Sequence, residues 1–119
     1  MAGGILGAGR SPLASARLFQ AADARARVDA RIDGTRILSI DMRRNQLLVQ
    51  KITGEQIRAS DLHGPVSVRV GGTDADQIVI DRLGQSDDYE VAFTAGGSTA
   101  TLRIAGLTGW SAIDLGRTP

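Results

Sequence analysis

The sequence predicts an α+β domain, one N-terminal helix packed on antiparallel β-sheets of about seven short strands. Three observations carry that expectation. Apolar residues recur at three- and four-residue steps only before Asp33-Gly34, the period falls to two from Thr35 onward, and Gly, Asn and Asp punctuate that second part at short intervals. In 119 residues, 42% of them apolar and 23% charged, there is room for one core.

Met1 to Arg10 holds four glycines without periodicity, the composition of a flexible lead, and 11–119 form a single globular domain. Ser11 is a favoured N-cap and Pro12 is preorganised for the first helical position, so a helix starts there. It runs Ala-rich to Ile32, and Asp33-Gly34 ends it. Leu18, Ala21 or Ala22, Arg25, Val28 and Ile32 mark its apolar stripe, interrupted by Arg25, with Arg17, Asp23, Arg27 and Arg31 at other positions.

The strand region opens with Arg36 to Met42 and Gln46 to Ile52 around Arg43-Arg44-Asn45, a hairpin in which Ile37 and Leu47 to Val49 contribute to the core. Val66 to Val70 alternates strictly between Gly64-Pro65 and Gly71-Gly72, and Gln77 to Asp81 is the next run. Tyr89 to Ala95 and Thr99 to Ala105 surround Gly96-Gly97-Ser98 as a second hairpin, and Trp110 to Leu115 closes the set.

Composition removes several function classes. Absent cysteines exclude a disulfide scaffold, a zinc finger and thiol chemistry. A formal charge of +1 leaves no global field for nucleic acid or anionic lipid. Phe19, Tyr89, Phe93 and Trp110 are too few for a base-stacking platform or a row of sugar-stacking rings. No stretch approaches the ~18 to 20 apolar residues that cross a bilayer. Ala2 to Gly9, with Ile5 and Leu6 as its large apolar residues, lacks the centre of an export signal.

The motifs each have a plain reading. Gly4 to Ser11 approximates a phosphate-binding loop with Arg10 in place of Lys, but no buried strand precedes it, so neither a nucleotide nor any other cofactor is expected. His63 is the single histidine, and Asp61 to Pro65 looks like a turn entering a strand. Catalysis would require a pocket gathering His63 with an aspartate, and no catalytic or metal-binding residue is expected. Asp74, Asp76, Asp81, Asp87 and Asp88 match no calcium loop and suit turns, with calcium ligation the alternative. Arg43-Arg44 and the series Arg25, Arg27, Arg31 are neutralised by Asp23, Asp29, Asp33 and Asp41.

Two segments resemble the globular part of prepilin-like proteins, especially the H-type minor pseudopilins of type II secretion and the minor pilins of type IV pili. Leu18 to Arg27 followed by Gly34 to Asp41 looks like the junction where the long helix of those proteins runs into a β-hairpin. Ile78 to Ser86, followed by Tyr89 to Phe93 and Thr101 to Ile104, resembles their strand, Gly-Ser turn and last hairpin. Gly106-Leu107-Thr108-Gly109-Trp110 is similar to a terminal Leu-Thr-Gly signature that commonly continues with Arg where Trp110 stands.

The resemblance spans residues 14 to 113 and lacks the family's cleavage glycine, its glutamate and its apolar membrane half-helix, as expected of a piece beginning after the membrane segment. It implies a non-enzymatic structural subunit, a periplasmic domain held in the inner membrane by an upstream helix absent here. Its partners would be other pseudopilins or minor pilins and the inner-membrane assembly platform. Leu18, Phe19, Ala22 and Arg25 are the expected subunit contacts, with Arg43 and Arg44 at the hairpin tip. By itself this chain is expected to be monomeric or weakly associating, because its Ala-rich faces bury little area. The alternative is a free-standing β-sandwich module that binds a protein or glycan through loops such as Gly71 to Asp76.

Overall fold

A computed structural model describes residues 11–117. Helix α1 (Pro12–Asp33) is followed by β1 (Arg36–Asp41), β2 (Gln46–Lys51), β3 (Gln56–Asp61), β4 (Val66–Val70), β5 (Thr73–Asp74), β6 (Gln77–Ile80), β7 (Tyr89–Ala95), β8 (Ser98–Ile104) and β9 (Ser111–Arg117). This is the expected α+β architecture, a single N-terminal helix on two antiparallel sheets, and it is pilin-like in general form. The expected lead at 1–10, and the Gly4 to Arg10 part of the phosphate-loop motif, lie outside the described residues.

The helix begins as its sequence dictates. Ser11 is extended, its Oγ accepts the Ala14 N–H at 3.0 Å, and Pro12 opens the first turn. At the other end Gly34, with φ +108°, donates its N–H to the Ala30 carbonyl. Only part of the stripe read from the sequence is covered: Ala22 is buried and Leu18 packs partly buried against the core. Pro12, Ser15, Ala16, Phe19, Ala22, Asp23, Ala26, Arg27 and Ala30 face inward, whereas Arg25, Val28 and Ile32 are exposed, Ile32 by 80%. Asp23 and Arg27, polar in the sequence pattern, take inward positions because they neutralise each other within the core. Four buried alanines let the helix lie close to both sheets, and Phe19 fills the space between, 6.1 Å from Tyr89 and 6.3 Å from Phe93 between ring centroids.

The sheets run β3-β2-β1-β6 and β5-β4-β7-β8-β9, antiparallel throughout. The chain crosses between them at β3–β4, β5–β6 and β6–β7, and the β5–β6 crossing is the shortest. Thr73 and Asp74 pair with Val70 and Arg69, Ala75 donates to the Val68 carbonyl, Ile40 donates to the Asp76 carbonyl, and Gln77 onward pairs with β1. The run thus passes from pairing with β4 to pairing with β1 through a bend at Asp76, and both inner faces share one core with the helix. Leu38, Ile40, Leu47, Val49, Ile78 and Ile80 come from one sheet, and Val68, Val91, Phe93, Ala100, Leu102 and Ile104 from the other.

Among the described residues nine strands form where about seven were expected. The two additions, β3 and β5, are edge strands with almost wholly exposed side chains, so no apolar alternation betrays them. Ile37 is corrected as well. Register places Arg36, Leu38 and Ile40 inward, and Ile37 lies half-buried on the outer face opposite Val79 and Gln50. The last strand starts at Ser111, leaving Trp110 in the preceding loop, 68% exposed.

Candidate functional site

The long outer face of α1 is the candidate interaction surface. Arg17, Ala21, Ala24, Arg25, Val28, Arg31 and Ile32 are exposed along it, while the opposite face is sealed against the sheets. Of the residues singled out as contacts, Arg25 lies on this surface and pairs with Asp29 at 3.1 Å. Leu18 is partly buried against the core, and Phe19 and Ala22 point into it, so their apolar area is already used within the domain. Arg43 and Arg44 sit exposed at the β1–β2 turn. Their backbone N–H groups donate to Asp41 Oδ1, and Asn45 closes the turn in the left-handed region at φ 53°.

Beneath that surface lies a polar junction that periodicity had concealed. Arg27 Nε and Nη2 grip Asp23 at 2.7 and 3.1 Å, Nη1 donates to the carbonyls of Gly84 and Gly106, and Nη2 also donates to Ser86 Oγ. All five guanidinium N–H groups are therefore engaged. The Tyr89 hydroxyl donates to Asp23 Oδ2 at 2.6 Å. Burial, and then the Asp23 carboxylate beside it, hold the Tyr89 hydroxyl well above its ordinary pKa, with Arg27 opposing the shift. The junction ties the helix to the β6–β7 and β8–β9 loops. A Cβ on Gly106 would run into the Ser86 and Asp87 backbone, and one on Gly109 would come within 2.9 Å of Arg27 Cδ, so the β8–β9 loop packs too closely on the β6–β7 loop and on Arg27 for a larger residue at either position. The i,i+4 spacing of Asp23 and Arg27 was the available signal.

At the end of the helix, Arg36 donates to Asp33 at 2.9 Å. That bond first, then the charges of Lys51 and Arg36, lower the Asp33 pKa. His63 is half-buried, with its backbone N–H donating to Ser15 Oγ. Asp81 shows turn chemistry, its Oδ1 accepting from Leu83 and Gln85 N–H, whereas Asp88 Oδ1 accepts from Gly106 N–H across two loops. Among the described residues, no group of three or more acidic or histidine side chains is placed to hold a metal ion, and no helix is long and apolar enough to cross a membrane. The chain matches no protein-family model, no curated protein and no solved structure.

Proposed function

We propose that this chain is the globular domain of a minor pseudopilin-like subunit, of the kind that supports type II secretion or type IV pilus-like assembly. In this reading the domain does no bond chemistry and resides in the periplasm. An apolar half-helix upstream of residues 1–119 enters the inner membrane, while the domain contacts neighbouring pseudopilins and the assembly platform. The observation that supports it is the two-sided helix: one face of Pro12–Asp33 is sealed on both sheets and the other is open along its length. Exposed Val28 and Ile32 on the open face are the apolar groups a neighbouring subunit would cover.

Sedimentation and crosslinking test the reading. At micromolar concentration the chain is expected to sediment as one small species, because an Ala-rich face buries little area at ~25 cal/mol per Å² while association must offset several kcal/mol of lost freedom. The chain has no cysteine, so Ala24→Cys or Val28→Cys introduces a unique thiol. With an apolar helix supplied upstream, in membranes holding the partner pseudopilins, these positions should crosslink to other subunits. A tight oligomer of the chain by itself, or no crosslinks, overturns the assignment.

A further inference from the structure

We propose that the concavity at one end of the five-stranded sheet binds a neutral oligosaccharide, with Trp110 stacking on a sugar ring and Arg69, Glu90 and Arg103 hydrogen-bonding its hydroxyls. Arg69 stands opposite Glu90, and Glu90 opposite Arg103, across β4, β7 and β8. The three side chains therefore share the outer face in one row, about 5 Å from strand to strand. The Gly71-Gly72 turn and Trp110 complete a cavity of about 600 Å³, within the range of small-molecule sites.

The polar groups in this row are weakly engaged. Arg103 Nε lies 3.3 Å from Asp114 and 3.8 Å from Glu90, and its terminal nitrogens make no hydrogen bond among the described residues. Arg69 donates to the Gly72 carbonyl at 3.0 Å and lies 4.0 Å from Asp74. The contrast with the fully engaged Arg27 is plain. Two arginines and two carboxylates, Asp88 and Glu90, line the cavity, so its charge sums to zero. An anion would meet Glu90 between the arginines, and a cation would meet the guanidinium groups. A hydroxyl can accept from the one and donate to the other, in charge-assisted bonds.

Trp110 supplies the apolar surface. Its ring is mostly in solvent, yet its backbone is held: the carbonyl accepts from Ala105 N–H at 2.8 Å and the N–H donates to Thr108 Oγ1. The loop beneath is clamped by Arg27 through the Gly106 carbonyl. With the backbone fixed, only the side-chain rotamer has to be ordered for the ring to meet the C–H face of a pyranose. Strand addition by an extended peptide is blocked at this end, since β5 already covers Arg69 and Val70 of β4.

Trp110 is the single tryptophan, so intrinsic fluorescence reads the site directly. Titration with maltotriose, cellotriose and chitotriose should give, for at least one, a saturable shift in the ~millimolar range. Exposed Arg103→Gln and Glu90→Gln should each weaken it about tenfold with an unchanged melting temperature, and Trp110→Ala should abolish the heat of binding in calorimetry. Three outcomes overturn the proposal: no saturable shift with any trisaccharide, binding unaffected by Arg103→Gln and Glu90→Gln, or tighter binding of glucuronate or inorganic phosphate. The site does not depend on the assembly reading, because Trp110→Ala leaves the helix face and its crosslinks intact, so each can fail separately.

Discussion

The two halves of the buried helix face hold the domain together by different physics. Around Ala16 and Phe19 the contact is apolar: Phe19 is fully buried between Tyr89 and Phe93, and its stabilisation follows from area removed from water, without direction. One turn further on, Asp23 and Arg27 are equally buried but act through six directed hydrogen bonds, two between them and one each to Gly84, Gly106, Ser86 and Tyr89. The apolar half sets how closely helix and sheets approach. The polar half sets where two loops lie, which area alone cannot specify. A buried pair of this kind gains little net stability over apolar residues of similar volume, but removing one partner leaves an uncompensated charge.

Breaking the polar half should have the largest effect. Asp23→Ala strands the Arg27 cation and removes the acceptor of Tyr89, at a cost of about 3–5 kcal/mol, read as a fall in the urea midpoint. A loss below about 1 kcal/mol would mean that water reaches the junction. The double change Asp23→Leu with Arg27→Met sharpens the comparison. Global stability should recover most of that loss, whereas amide exchange across 82–86 and 105–109 should stay fast, because the Gly84 and Gly106 carbonyls have lost their donor.

On the apolar side, Ile104→Ala in β8 should cost about 2–4 kcal/mol through a core cavity, with the loops keeping their protection; an unchanged urea midpoint would contradict its burial. Tyr89→Phe touches both halves, since the ring stays while the bond to Asp23 goes, and it should cost about 1–2 kcal/mol. It also has a pH signature. With the folded pKa raised, the contribution of Tyr89 is complete below its unfolded value near 10 and is lost as pH rises toward the folded value. Alkaline melts should therefore fall above pH 10 in the parent and less steeply in Tyr89→Phe. As the single tyrosine, Tyr89 should show no phenolate absorbance at that pH until the protein unfolds.

The smallest effect belongs to Asp33, whose side chain is largely in solvent. Its depressed pKa contributes stability above the ordinary carboxylate value that is lost as pH falls through the folded one. Asp33→Asn should flatten that part of the acid limb slightly and leave neutral-pH melting close to the parent.

Local chemistry was legible in the sequence. The Ser11-Pro12 start, the Gly34 stop, the β7–β8 hairpin around Gly96-Gly97 and the bounds of β4 follow from capping, backbone freedom and alternation, each of which acts over a few residues. The face the helix buries was decided elsewhere. Asp23 and Arg27 read as solvent residues until Gly84, Ser86, Tyr89 and Gly106 arrive from 57 or more positions away to satisfy them. The same holds for β3 and β5, which are strands because a neighbour offers unpaired backbone rather than because their own side chains alternate. It holds too for the row of Arg69, Glu90 and Arg103, assembled from three strands by register. Short-range preferences are written in adjacent residues, whereas burial of charge and cross-strand placement depend on partners that only the folded chain brings within hydrogen-bonding distance.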